Sequence, residues 1–181
     1  AARLQKQREE GKLQKKYLAL AEGDLSEAND SVFWKEIAIP LAPDPENPMK
    51  MTISPDGLLP GSRNAVTYYK NIKSFGNVTL VELQLETGRT HQIRVHMSGI
   101  GHPLLGDTMY NPRVCLKMSN SKGKKNTEGR INNRNNCFKR AALHAWKLTF
   151  CHPFTDEIIT LEAPLPDDFC RFLNANEEEK T

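Results

Sequence analysis

The sequence predicts an α+β fold: a mainly antiparallel mixed sheet with short flanking helices. Three observations point there. Apolar residues recur at every second position in several short segments, which is the period of a strand. These segments follow one another through turns instead of alternating with helices, so a parallel βαβ arrangement is not expected. The segments with helical spacing are few and short. The 181 residues match the size of one domain, and a single domain is expected over 1–181.

Taken in order, residues 1–12 read as the end of a helix, with Leu4 as a thin apolar stripe and Gly11 as a stop. In KKYLALAEG (15–23), Tyr17, Ala19 and Ala21 alternate with Leu18 and Leu20, which suits a strand buried on both faces. VFWKEIAIPL (32–41) is a second short strand. APDPENPMKMTISPDGLLPGSR (42–63) is rich in Pro and Gly and reads as a loop with turns. NAVTYYKNIKSF (64–75) and NVTLVELQLETG (77–88) form an antiparallel hairpin around Gly76-Asn77. In its second strand Val81, Leu83 and Leu85 alternate with Glu82, Gln84 and Glu86, so that strand is expected to be half buried.

THQIRVHMSGIG (90–101) fits a strand or a short helix. The i, i+4, i+7 spacing of Ile93, Met97 and Ile100 favours the helix, with Thr90 as its N-cap and Gly101 as its stop. On that helix His91, Arg94 and Ser98 share a face distinct from the apolar stripe. Residues 113–140 are rich in Asn, Lys, Ser and Gly with no apolar period, and read as a largely disordered basic insert. From 142 to 166, His144, Trp146, Leu148 and Phe150 alternate in a strand, a turn follows at Pro153–Asp156, and EIITLEA completes a third strand pair. DDFCRFLNANEEEKT reads as a closing helix with a frayed acidic tail.

Composition limits the function classes. No run of about 18 apolar residues is present, so no helical membrane span is expected. The charged N-terminal stretch is unlike a signal peptide. Cys115, Cys137, Cys151 and Cys170 have no C-x-x-C spacing, and reduced thiols in a cytoplasmic protein, or one in a eukaryotic organelle, are expected. The net charge of +3 is unevenly spread: nine Lys/Arg against Glu128 alone fall between Arg113 and Arg140, leaving the remainder acidic. That distribution suits a polyanionic partner contacted locally, and equally a solvated insert.

The stretch LETGRTHQIRVHMSGIGHPLLGD (85–107) holds the densest chemistry. His91 and His96 are five apart, whereas the zincin pattern needs His at i and i+4 with a Glu beside the first; Gln92 stands there instead, so no metal is expected. The segment ETGRTHQ lacks the G-x-x-x-x-G-K-[ST] of a phosphate loop. Arg89 beside a helix start is compatible with a phosphate contact. Arg94, set among apolar neighbours, requires a carboxylate or phosphate partner. Two alternatives stay open for it: the wall of a functional cleft, or a structural ion pair with an acid such as Asp107.

TGRTHQIRVHMSGIGHPLLGD (87–107) resembles the signature of RluA-type RNA pseudouridine synthases. KKYLAL…G (15–23) is similar to that family's tyrosine motif, and LHAWKLTFCHPFTDE (143–157) with APLPDDF resembles its C-terminal motif. The three occur in family order. The resemblance implies an enzyme of the pseudouridine synthase catalytic-domain type that isomerises uridines in structured ribosomal or transfer RNA, without cofactor or metal, and as a monomer. It implies that Tyr17 stacks on the flipped base, that Arg94 pairs with a catalytic aspartate, and that Leu143 lines the pocket. It assigns Arg89, His91, Gln92 and His102 to substrate-binding positions. The aspartate motif H-R-L-D-x-x-T-S-G is absent from the sequence. The chain is therefore expected to be an N-terminally truncated catalytic domain, and inactive alone. A non-catalytic RNA-binding fragment or pseudoenzyme is the alternative, and a protein-interaction module a third reading.

Overall fold

The computed structural model describes residues 2–25, 33–111 and 138–177. Their elements run α1 (Ala2–Glu9), β1 (Gln14–Glu22), β2 (Lys35–Ala38), β3 (Leu41–Pro43), β4 (Met51–Ile53), β5 (Val66–Ser74), β6 (Val78–Leu85), α2 (Gln92–Gly99), β7 (Leu143–Cys151), β8 (Ile158–Glu162) and α3 (Asp167–Glu177). Six strands make one sheet in the order β2-β5-β6-β1-β7-β8, and β3 pairs with β4 in a separate ribbon. Every pairing is antiparallel. The α+β class read from the sequence is the one observed.

The sheet carries a helix on each face, and the side-chain alternation of β1 and β6 feeds both. Ala19, Ala21, Val81 and Leu83 face Ile93 and Met97 of α2. Leu20, Val78 and Leu80 face Phe169 and Phe172 of α3, with Phe138 between. Burying each of these phenylalanines contributes roughly 1.5–3 kcal/mol. Gln7 fixes α1 to the far end of β7 by exchanging hydrogen bonds with the Cys151 backbone. The first strand is buried on both faces, as its composition suggests, and Gly11 ends the helix before it in a left-handed conformation.

Four expectations are revised. The Pro-rich segment 42–63 is not only loop: it contributes to the β3–β4 hairpin, which packs Leu41, Met51 and Ile53 with Val95 of α2. Strand β6 is buried on both faces from Val78 to Leu83. Glu82, read as solvent-facing, is 4% exposed; it is bridged by Lys16 and Lys70 from the two neighbouring strands, and Trp34 covers both ammonium groups. The N-cap of α2 is His91, not Thr90. Most of the 113–140 insert lies outside the described residues, but Phe138 within it is a buried member of the core. The acidic tail beyond 177 also lies outside them.

The β7 alternation is broken by a register shift opposite Lys16 and Tyr17, at Trp146. This leaves His144 against Phe169 on the α3 face and Leu143 against the α2-face cluster. The turn after β7 is closed by hydrogen bonds between His152 and both Asp156 and Glu157. No helix among the described residues is long and apolar enough to cross a membrane. Cys151 and Cys170 are free thiols.

Candidate active site

Helix α2 is pinned to the sheet by buried polar contacts as well as by Ile93 and Met97. Gln92 is enclosed: its side-chain oxygen accepts from Thr87 Oγ1 and the Arg89 N–H, and its nitrogen donates to Val66 O and Thr67 Oγ1. All four hydrogen-bond positions of the amide are thereby used. His96 is fully buried, with Nε2 at 2.8 Å from Ile39 O and Nδ1 at 2.8 Å from Thr67 Oγ1. A carbonyl can only accept, so Nε2 carries the proton, and Thr67 donates to Nδ1. Burial holds the His96 pKa below its ordinary value, against the opposing pull of the Ile39 carbonyl.

The polar face of α2 meets the segment 107–110. Arg94 Nε and Nη2 donate to Asp107 Oδ2 and Oδ1, both at 2.7 Å. This is the fork geometry that matches a guanidinium to a carboxylate. Asp107 is fully buried while Arg94 keeps 20% exposure. Burial pushes the Asp107 carboxyl up, but the Arg94 hydrogen bonds and the N–H groups of Tyr110 and Met109 outweigh it, leaving its pKa below the ordinary value. The same bonds raise Arg94. The guanidinium also lies over the Tyr110 ring, 4.8 Å from its centroid. Of the two alternatives open for Arg94, the structural pair with Asp107 is therefore formed. Its Nη1 has no partner among the described residues.

Tyr17 and Leu143 lie against the apolar cluster to which α2 contributes Ile93 and Met97. They come from adjacent strands, with Ala19 paired to Leu143 and Tyr17 to Ala145, and both pack against the cluster containing Ile93 and Met97. An open groove of about 340 Å³ runs beside Tyr17, walled by Lys15, Trp146, Leu148 and Leu161. The structure thus sets Tyr17 and Leu143 against one apolar cluster and turns Arg94 toward Asp107.

The remaining sequence candidates separate by role. Arg89 donates from Nε to Asn64 O in an exposed position. His102 places Nδ1 2.9 Å from Glu22 O and lies against Gly23, where a β-carbon would fall 2.8 Å from its ring. Gln92 and His102 have the geometry of scaffold residues. His91 is half-exposed, in a left-handed backbone conformation at φ 55°, with Nδ1 2.8 Å from the Tyr110 hydroxyl. Two participants escaped the sequence reading. Tyr110 follows Asp107 by three residues, a spacing that a capped turn could have suggested. Trp146 looked like one more member of an alternating strand, and only the register shift sets it in the groove wall. Among the described residues no group of three or more His, Cys, Asp and Glu is arranged to hold a metal.

Comparison with known proteins identifies this arrangement. The family model for RNA pseudouridylate synthase matches residues 1–99. The chain belongs to the RNA pseudouridylate synthase family. It is 38% identical over 159 residues to an uncharacterized RNA pseudouridine synthase of Bacillus subtilis, covering 88% of this chain and 43% of the relative. It is 47% identical over 116 residues to ribosomal large subunit pseudouridine synthase D of Haemophilus influenzae, covering 64% of this chain and 34% of that one. The chain thus spans less than half the length of these relatives. Human RNA pseudouridylate synthase domain containing 1 superposes with a TM-score of 0.64 at 25% identity, covering 91% of this chain and 60% of the human one. A second human pseudouridylate synthase domain protein shares the fold at a TM-score of 0.69, over 97% of this chain and 67% of its own. The family named from three motifs in the sequence is the family these comparisons give.

Proposed function

We propose that this chain supplies the tyrosine, arginine and pocket-wall elements of an RNA pseudouridine synthase, which breaks the N-glycosidic bond of a uridine and rejoins the base through C5. The convergence of Tyr17 from β1, Leu143 from β7 and Ile93 from α2 on one apolar cluster supports this reading. These residues lie far apart in sequence and belong to three separate motifs of the resemblance. A uracil stacked in RNA must be flipped out before its glycosidic bond can react, and a flipped base is held between aromatic and apolar groups. The groove beside Tyr17 falls in the volume range of small-ligand sites. Relatives named for the large ribosomal subunit point to ribosomal RNA as the substrate class.

In this reading Tyr17 stacks on the uracil and Leu143 closes the pocket beneath it. Arg94 keeps one guanidinium edge on Asp107 and offers Nη1 to a second carboxylate, holding that group ionised through a charge-assisted hydrogen bond. The second carboxylate is the aspartate of H-R-L-D-x-x-T-S-G, a motif not found in these 181 residues. That absence favours a second reading, in which the chain binds RNA without catalysis. The two are separated by following tritium released from C5-labelled uridine in RNA. The 181-residue chain is expected to bind RNA and release none; isomerisation by it would overturn the need for the aspartate motif. Fused behind the aspartate-bearing region of the Bacillus subtilis relative, it is expected to release tritium, with Tyr17→Phe about a hundredfold slower or worse. A folded, RNA-binding fusion with no activity would favour the non-catalytic reading.

A further inference from the structure

We propose that Tyr110 is a positioning residue that fixes His91 as its neutral Nε2–H tautomer, so that His91 presents an N–H donor to RNA beside Arg94. The RNA half of this inference rests on the function proposed above; the tautomer half stands on geometry alone. Tyr110 is held from several directions. Its N–H donates to Asp107 Oδ1, and its carbonyl accepts from Ser98 Oγ at 2.7 Å. Its ring lies under the Arg94 guanidinium. Its hydroxyl accepts the Met51 N–H at 3.0 Å and sits 2.8 Å from His91 Nδ1. A phenol has one proton to give. If Nδ1 carried a proton, the hydroxyl oxygen would accept twice and its own O–H would have no acceptor among the described residues. If the hydroxyl donates to Nδ1, the hydroxyl, the Met51 N–H and Nδ1 are all satisfied. Nδ1 is then an acceptor, and the imidazole proton is on Nε2, which has no partner among the described residues.

The backbone points the same way. His91 is a non-glycine residue at φ 55° in the N-cap position of α2, and its side chain makes no capping hydrogen bond. Such a conformation persists where the surroundings over-determine it, and strained residues concentrate at functional sites. The charges facing the ring are Arg94 from its own helix and Asp107 from the 107–110 segment, with Asp44 of the β3–β4 hairpin facing Tyr110. Burial and Arg94 favour the neutral imidazole, and Asp107 opposes them weakly. A neutral donor reaches a phosphate or uracil carbonyl without bringing in a further positive charge beside Arg94, which remains available to pair with a carboxylate.

Long-range nitrogen NMR of the imidazoles in the labelled 181-residue chain tests this directly. His91 is expected to show a protonated Nε2 and an unprotonated Nδ1 at neutral pH. Tyr110→Phe keeps the ring under Arg94 but removes the hydroxyl, and is expected to release His91 to a tautomer mixture. A role in folding alone would change stability and leave the tautomer as it was. A protonated Nδ1 in the wild-type chain would overturn the assignment whether or not the variant folds. Adding a short uridine-containing RNA hairpin is expected to shift the His91 Nε2 resonance. His91→Asn, a residue that tolerates the left-handed backbone but is too short to reach, is expected to weaken binding about fivefold. RNA binding with no response at His91 would remove the contact and leave the RNA reading intact. No RNA binding at all would remove both.

Discussion

The Asp107 carboxylate, fully buried, makes four hydrogen bonds: two from Arg94 and one each from the Met109 and Tyr110 N–H groups. It therefore serves as a turn cap and an arginine anchor at once. Asp107→Asn keeps the oxygen that caps the turn. It removes the charge and turns an N–H₂ toward the Arg94 Nε donor, leaving an arginine that is four-fifths buried facing a donor. The expected loss is about 2–3 kcal/mol, read as a lower midpoint in urea unfolding with the slope unchanged. An unaltered midpoint would mean that Arg94 finds another partner at no cost. Gly106 just before it shows how little room this corner leaves: its φ is 68°, and a β-carbon there would collide with the Arg140 carbonyl. The Gly-Asp pair of the motif thus has a separate reason for each residue, steric for Gly106 and hydrogen-bonding for Asp107.

Helix α2 is held by a buried histidine whose burial disfavours the charged form, and this makes its docking sensitive to pH. His96 has a folded pKa below 6.5, and in the unfolded chain it titrates near that ordinary value. Protons therefore bind the unfolded state more readily, so stability is full above about pH 7 and falls as pH drops below 6.5 toward the folded value. His91 is shifted in the same direction. Asp107 adds a second loss only at lower pH, because its depressed pKa keeps its contribution in place until pH falls below its ordinary 3.8. Urea unfolding of His96→Gln is expected to give lower stability at neutral pH and a flatter dependence between about pH 5 and 7; an unchanged slope would assign the effect to another group. The histidine, the glutamine and the apolar stripe of this helix were all visible in TGRTHQIRVHMSG. Its true N-terminus was not, because His91 adopts a left-handed backbone that places the cap one residue past Thr90. Glu82 shows the same limit. Period-two alternation marks it as solvent-facing, and only lysines on two other strands, with Trp34 above them, make its burial tolerable. The β3–β4 hairpin was hidden by its prolines, which suit an isolated two-stranded ribbon whose strands are all edges.

Charge is distributed over the whole molecule in a way that no single element explains. Between Arg113 and Arg140 the sequence carries nine Lys/Arg and one Glu, while the rest of the chain has sixteen basic against twenty-one acidic residues. An acidic body repels a phosphate backbone, so if this chain binds RNA, the long-range attraction must come from that segment together with local groups such as Arg89 and Arg94. Each phosphate neutralised by a bound Lys or Arg releases condensed counterions, and the logarithm of affinity falls with the logarithm of salt concentration in proportion to their number. Deleting residues 114–136 withdraws six of the nine basic residues and Glu128, while sparing Phe138, which the core requires. The shortened chain is expected to keep its cooperative unfolding and to bind an RNA hairpin with a visibly shallower salt dependence, the difference shrinking as salt is raised. Anisotropy titrations at several potassium chloride concentrations measure both slopes. Equal slopes would mean that these lysines and arginines stay solvated in the complex, and that the contacts to RNA lie instead on the face that carries His91 and Arg94.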